Sequence, residues 1–242
     1  MGHNKDRVDF LDAAPVFSAA VDRSLNKASR RLGRPAMPAS PYQRLDSGAI
    51  GSLAAGYPLR LFPPDDTRLL DTVNFLLANC FVDGGFFYEM THSGINAYLT
   101  RHVAQSLLRA GNPRYFDLST SVAELASPTG HWPEAIHPHT RGACMGDGQY
   151  VWAAAEWVLM IRNCFVREEG NFLILASGIP QRWLRGKSTL SFGPAPTSFG
   201  TLSLSIKPEK ASIIISWQGT WHDEVPRIEV RGSRFNPGTP QS

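Results

Sequence analysis

The feature that most constrains this chain is a change in the period of its apolar residues near residue 165. Upstream, apolar residues recur at helical spacing in stretches of roughly 9 to 32, 47 to 56, 67 to 81, 94 to 110, 113 to 127 and 148 to 164, separated by Gly and Pro. Downstream the period is two: "GTLSLSIK" sets Leu202, Leu204 and Ile206 against Ser203 and Ser205, and "ASIIISWQG" sets Ile213, Ile215 and Trp217 against Ser212 and Ser216. The same reading makes strands of "NFLILAS", "STLSFG" and "PRIEVR". The expected architecture is therefore mainly α with a β tail: about six helices in antiparallel hairpins over 1–165, then a small antiparallel sheet or sandwich over 166–242. Within the helical part, "GINAYLTRHVAQSLLRAG" places Ile95, Leu99, His102 and Val103 on one face, and Gly111 falls where a helix stop belongs.

With 242 residues, 43% of them hydrophobic, the chain is long enough to bury a sizeable core. Its formal charge of +3 is spread among scattered Lys and Arg that the acidic residues nearly balance, which argues against a nucleic-acid partner. The N-terminal "MGHNKDRVDFLDAAP" is polar, and no apolar run approaches the roughly 18 residues that span a bilayer, so the expectation is a cytoplasmic protein without a membrane partner. Cys80, Cys144 and Cys164 form no C-x-x-C pair and fit reduced thiols.

Chemistry-bearing residues concentrate in two places. The segment "VDGGFFYEMTHS" follows paired glycines with Phe86, Phe87, Tyr88, the carboxylate of Glu89 and His92; it reads either as a cleft lining or as a strand-like turn whose aromatics fill the core. The stretch "HWPEAIHPHTRGACMGDGQYVWAAAEW" holds Trp132, Glu134, His137 and Asp147. Pro133 and Pro138 stiffen its backbone, and Gly142, Gly146 and Gly148 allow tight turns into a helix starting near Asp147 or Gly148, for which Asp147 is the expected N-cap. Glu134 has no capping role, and a carboxylate beside an indole suits acid or base work on sugars. Glu156, inside the apolar "YVWAAAEWVLMIRN", is expected either on a narrow solvent face or hydrogen-bonded within the bundle. His131, His137, His139, Cys144 and Asp147 match no zinc spacing, and no metal or cofactor is expected.

"SGAIGSLAAGYPLRLF", "FFYEMTHSGINAYLTRHVAQSLL" and "WPEAIHPHTRGACMGDGQYVWAAAEW" together resemble the late part of an (α/α)6 toroid, the barrel of the six-hairpin glycosidases related to glucoamylases, over residues of about 45 to 165. In that superfamily a Pro-Glu carboxylate precedes the last barrel helix, matched here by Pro133, Glu134, Pro138, Gly142 and Trp152. The resemblance implies a carbohydrate-active protein related to the C-terminal part of an inverting glycoside hydrolase, with Glu134 as the general base. It also implies an incomplete (α/α)6 toroid, because about six helices make half of the barrel. No motif assigns a general acid. Glu89 is the nearest local candidate and Asp147 a supporting carboxylate, while Trp132, Phe86, Phe87, Tyr88, His92 and His137 are the expected sugar-contacting residues. Inverting hydrolysis places two carboxyl groups roughly 6.5 to 9.5 Å apart. An open half-toroid is expected to self-associate or to take an N-terminal half-toroid partner that carries the acid. Two further readings belong to other classes: a non-catalytic carbohydrate-binding or vestigial scaffold protein, and a polysaccharide lyase using Tyr88, His92 and Asn96.

Overall fold

The computed structural model describes residues 3–89, 93–186, 188–210 and 212–232. Five α-helices and one 3-10 helix occupy the six stretches with helical period. They are α1 (His3–Leu32), the 3-10 helix Ser47–Ala55, α2 (Thr67–Asn79), α3 (Ala97–Arg109), α4 (Arg114–Glu124) and α5 (Val151–Phe165). Local chemistry sets several ends. Asp46 and Asp66 cap their helices by accepting from the amides of Gly48 and Arg68 at 3.0 and 2.8 Å. Asn96 caps α3 through Leu99 N at 2.8 Å, so Ile95 precedes the helix instead of lying on its face. Gly111, at φ +68°, supplies the left-handed residue that ends the α3 region and lets α4 fold back on it.

The third helix is the centre of the molecule. Thr100, Arg101, Val103, Ala104, Gln105, Leu107 and Leu108 are all buried, and α2, α4, α5 and the 3-10 helix each pack against it. A helix buried all round is a core element, in contrast to α1. In α1 the stripe Phe10, Ala14, Phe17, Val21, Leu25 and Ala28 runs the length of the helix at 3- and 4-residue spacing. Its C-terminal end is covered, with Ala28 buried and Asp22 paired to Arg68 at 3.0 Å, whereas Phe10 and Phe17 are 74% and 71% exposed.

Between the helices runs a sheet of short antiparallel strands, of which the sequence suggested only the strand-like turn at Gly85–Tyr88, ordered β1 (Phe81–Val82), β2 (Gly85–Tyr88), β3 (Gly94–Ile95), β4 (Ala135–Ile136) and β5 (Ala143–Met145). Its middle strand has room only for glycine at position 94, where a Cβ would stand 2.9 Å from both Ala135 Cβ and Cys144 Sγ.

β6 (Val166–Glu169) follows α5 directly, and the strands after it form two sheets. In one, β8 (Leu190–Thr197), β9 (Gly200–Pro208) and β10 (Ile213–Trp221) are antiparallel in the order β10-β9-β8. In the other, β7 (Phe172–Leu175) lies between β6 and β11 (Arg227–Val230), and β11 runs parallel to β7, which corrects the expectation of a purely antiparallel tail. Alternation holds on the central strand, where Leu202, Leu204 and Ile206 are buried. It fails in the middle of β10, an edge strand on which Trp217 is 45% exposed.

Helices and tail share one apolar cluster: Leu107, Met160 and Cys164 are continuous with Leu173, Leu202, Leu204 and Ile206. Glu169 of β6 reinforces the join, accepting from Arg109 of α3 in a bidentate pair at 2.7 Å and from Arg167. Because the cluster is shared, Leu107→Ala and Leu204→Ala are each expected to cost about 3 kcal/mol and to shift a single unfolding transition. Chemical denaturation followed by circular dichroism and by tryptophan fluorescence checks this; two separated transitions, only one of them moved by Leu204→Ala, would contradict it.

Candidate functional site

Glu134 closes the Trp132 loop immediately before β4, and the backbone around it is pinned from three sides. Tyr150 N donates to Trp132 O at 2.8 Å, Asn96 Nδ2 donates to Glu134 O at 3.1 Å, and β4 pairs with β3 and β5 immediately after it. Gly146 closes against it at φ +83°, where a Cβ would lie 3.1 Å from Glu134 N and 3.2 Å from its Cβ. Only a residue without a side chain suits both that backbone angle and that contact. The Glu134 side chain is left half-buried.

Around it stands an aromatic face. Tyr150 shares a hydrogen bond with the Asn96 side chain, and its phenol is pushed up to about 12 by burial first and by the nearby Glu134 charge second. Tyr98, Tyr150 and Trp152 form a triangle with ring centroids 5.5, 5.8 and 6.3 Å apart. Tyr98 and Tyr150 are half-buried, and Trp152, in the first turn of α5, is 62% exposed. Such a surface offers π-faces and phenolic hydroxyls to a ligand that is apolar on one side and hydroxylated on the other.

Beneath this face lies a buried polar network. The His102 ring lies 4.3 Å from the Tyr98 ring at a tilt of 57° and meets Tyr57 edge-on at 5.7 Å, and burial lowers its pKa to about 4. Tyr57 donates its hydroxyl to Glu156 Oε2 at 3.2 Å, Gln105 Nε2 donates to Oε1 at 2.8 Å, and Asn163 Nδ2 donates to Gln105 Oε1 at 3.0 Å. Glu156 is thus hydrogen-bonded within the bundle. Burial raises its pKa, and the bonds from Gln105 and Tyr57 oppose that shift. Next to it the Arg101 guanidinium lies 4.4 Å from the Trp132 ring and 4.7 Å from the Trp157 ring and donates Nη1 to Ala153 O. Full burial pulls its pKa down to about 9, with Glu156 opposing, and its Nε and Nη2 have no hydrogen-bond partner among the described residues.

The structure brings only some of the expected residues to this face. Trp132 is 5% exposed, its indole N–H donates to Val122 O at 2.8 Å, and it serves as floor under the loop. Phe86 is fully buried among Phe81 and Tyr88, so the strand-like alternative describes it. Phe87 and Tyr88 are half-buried against the two core clusters. Glu89 is exposed in the turn after β2, on the side of Cys80, whose thiol is raised by burial and then by the Glu89 charge. His137 organises its own turn, Nδ1 accepting from the amides of His139 and Thr140 at 3.2 Å. Asp147 is exposed and accepts from Gln149 N at 2.9 Å, but α5 begins only at Val151 with Tyr150 before it, so Asp147 caps a turn instead of the helix. His92 lies outside the described residues. Tyr98 and Tyr150 escaped the sequence reading as site residues. The only signal for them was two tyrosines at helix starts flanking the Asn96 and Glu134 motifs.

Two expectations follow for the network. Arg101 supports the loop by packing as much as by charge, so Arg101→Met is expected to be tolerated within about 1.5 kcal/mol, whereas Arg101→Ala costs about 3 kcal/mol or more, read from denaturation midpoints. His102 stays neutral in the folded state down to about 4 but is protonated from its ordinary value near 6.5 when unfolded, so its contribution is complete above pH 6.5 and lost as pH falls towards 4. Glu156, raised by burial, works the other way, losing stability as pH rises above its ordinary value. The stability gap between the native protein and His102→Gln is therefore expected to close by about 3 kcal/mol between pH 7 and pH 4, and a pH-independent gap would contradict the assignment.

No family model and no curated protein matches the chain. Among solved structures, a wild-type glycosidase is similar at 21% identity with a TM-score of 0.47, covering 62% of this chain and 44% of its own. A glycosidase variant in complex with glucose is similar at 20% identity with a TM-score of 0.44 over the same shares. The chain thus spans less than half the length of the glycosidases it matches.

Proposed function

We propose that this is a carbohydrate-active protein of the inverting glycoside hydrolase type, that the Tyr98, Tyr150 and Trp152 face binds a sugar, and that Glu134 is the general base that activates water at it. The observation that carries the reading is the half-buried Glu134 carboxylate, fixed through its backbone and set beside Tyr150 at the edge of an aromatic triangle of which Trp152 is exposed. Rings stack on the apolar faces of pyranosides, and a carboxylate at the edge of such a surface is placed to take a proton from water on one side of the sugar.

The second carboxyl group is assigned outside this chain. Glu156 is buried and engaged by Tyr57 and Gln105, and Glu89 and Asp147 lie in solvent on turns. The reading therefore gives Glu89 and Asp147 no proton-transfer step and leaves the general acid to a second chain, either an N-terminal half-toroid or another copy. Uncovered apolar side chains support such an assembly: Phe10, Leu11 and Phe17 on α1, and Val151, Val158 and Leu159 on α5. Without that chain the face is a binding site that does not turn over, which is the alternative favoured by the engagement of Glu156.

The test is a pair of variants read by two assays. Trp152→Ala is expected to weaken oligosaccharide binding at least tenfold by calorimetry, in line with loss of a stacking ring. Glu134→Gln is expected to leave binding within about threefold while abolishing hydrolysis by the assembled protein. Unchanged hydrolysis in Glu134→Gln would overturn the catalytic assignment, and unsaturated, ultraviolet-absorbing products would indicate a lyase.

A further inference from the structure

A second site lies on the opposite side of α5 and does not rest on the Glu134 reading. α4 and α5 both lean on α3 and do not pack closely on one another, which leaves a cavity of about 400 Å³ between them. That volume falls within the range of small-molecule sites, roughly 300 to 1,000 Å³. The buried side chains of Met160 and Cys164 form its floor, and Trp157, Ile161, Phe116 and Trp183 its walls. Trp183 belongs to the short 3-10 helix Gln181–Leu184, which closes one end.

The two ends of this slot carry opposite charge. Glu124 stands in the last turn of α4 at one end. At the other, Tyr115, Phe116 and Arg182 are shared with an adjoining cavity of about 140 Å³ that Arg185 and Gln181 also line. The Arg182 guanidinium lies 4.1 Å from the centre of the Phe116 ring, and among the described residues neither Arg182 nor Arg185 pairs with a carboxylate. Between Phe116 and Glu124 the slot runs about 12 Å along α4, at roughly 1.5 Å per residue.

We propose that this slot binds an amphipathic anion, a medium-chain carboxylate whose apolar tail lies between α4 and α5 and whose head reaches Arg182 and Arg185. The acid at the Glu124 end fixes the orientation, since it repels a carboxylate and leaves the arginine end as the only place for the head. The walls are aromatic and sulfur-bearing side chains that adapt to an aliphatic tail. The guanidinium pair supplies planar, forked donors suited to a carboxylate.

Calorimetric titration of the full chain with octanoate, octylamine and octanol tests the assignment. One saturable site for octanoate is expected, with octylamine at least tenfold weaker. The double variant Arg182→Ala/Arg185→Ala is expected to lose the preference for octanoate over octanol. Thr120→Trp, which fills the slot from a half-buried position on α4, is expected to abolish binding with an unchanged circular dichroism spectrum. Absence of saturable octanoate binding to the native chain would overturn the proposal. So would equal binding of all three compounds, or octanoate binding retained by a folded Thr120→Trp variant.

Discussion

The Arg101 guanidinium, held between the rings of Trp132 and Trp157 and donating to Ala153 O, is the interaction on which the arrangement of the site depends. One side chain from the central helix touches both the loop that presents Glu134 and the helix that presents Trp152. Burying a guanidinium is costly, and here two indole faces and the neighbouring Glu156 offset part of that cost. The result is a rigid floor, with Trp132 and His102 beneath, on which a short antiparallel sheet carries a carboxylate to the rim. Tyr150, one ring of an aromatic triangle with Tyr98 and Trp152, stands near that carboxylate.

The layout also explains why one helix serves two surfaces. α5 turns Trp152 towards the Glu134 side and Trp157, Met160, Ile161 and Cys164 towards the slot with α4, while Ala153 and Glu156 face the interior. Glu156 is the polar member of that interior stripe; Tyr57 and Gln105 donate to it, and Asn163 in turn donates to Gln105. A carboxylate so engaged fixes the rotation of the helix about its axis, and with it the direction in which Trp152 points.

Much of this organisation was legible in the sequence because it is local. The six stretches with helical period, the Gly111 stop and the buried Leu202, Leu204 and Ile206 follow from spacing and backbone chemistry. What failed depends on tertiary partners. Periodicity assigns Trp217 inward, but its strand lies at a sheet edge. An Asx turn and a helix cap look alike for Asp147 until the helix start is fixed at Val151. β11 pairs parallel to β7 because a crossing connection brings it there, which alternation alone does not encode. For the candidate site, the Pro-Glu motif drew attention to the position that proves half-buried and backbone-fixed. Aromatic residue type, however, says nothing of burial: Phe86 and Trp132 lie in the core, Tyr98 and Tyr150 are half-buried, and Trp152 is exposed.

The six tryptophans make the central claim directly measurable, since each indole N–H gives its own nitrogen-proton resonance. Titrating the labelled chain with oligosaccharides is predicted to move the Trp152 signal progressively and to saturation for a bound sugar, with those of Trp183, in the separate slot, and Trp217, on the β-sheet edge, unmoved. Saturating shifts confined to Trp183 or Trp217, or no saturable shift in any indole, would contradict a carbohydrate site built on Glu134, Tyr98, Tyr150 and Trp152.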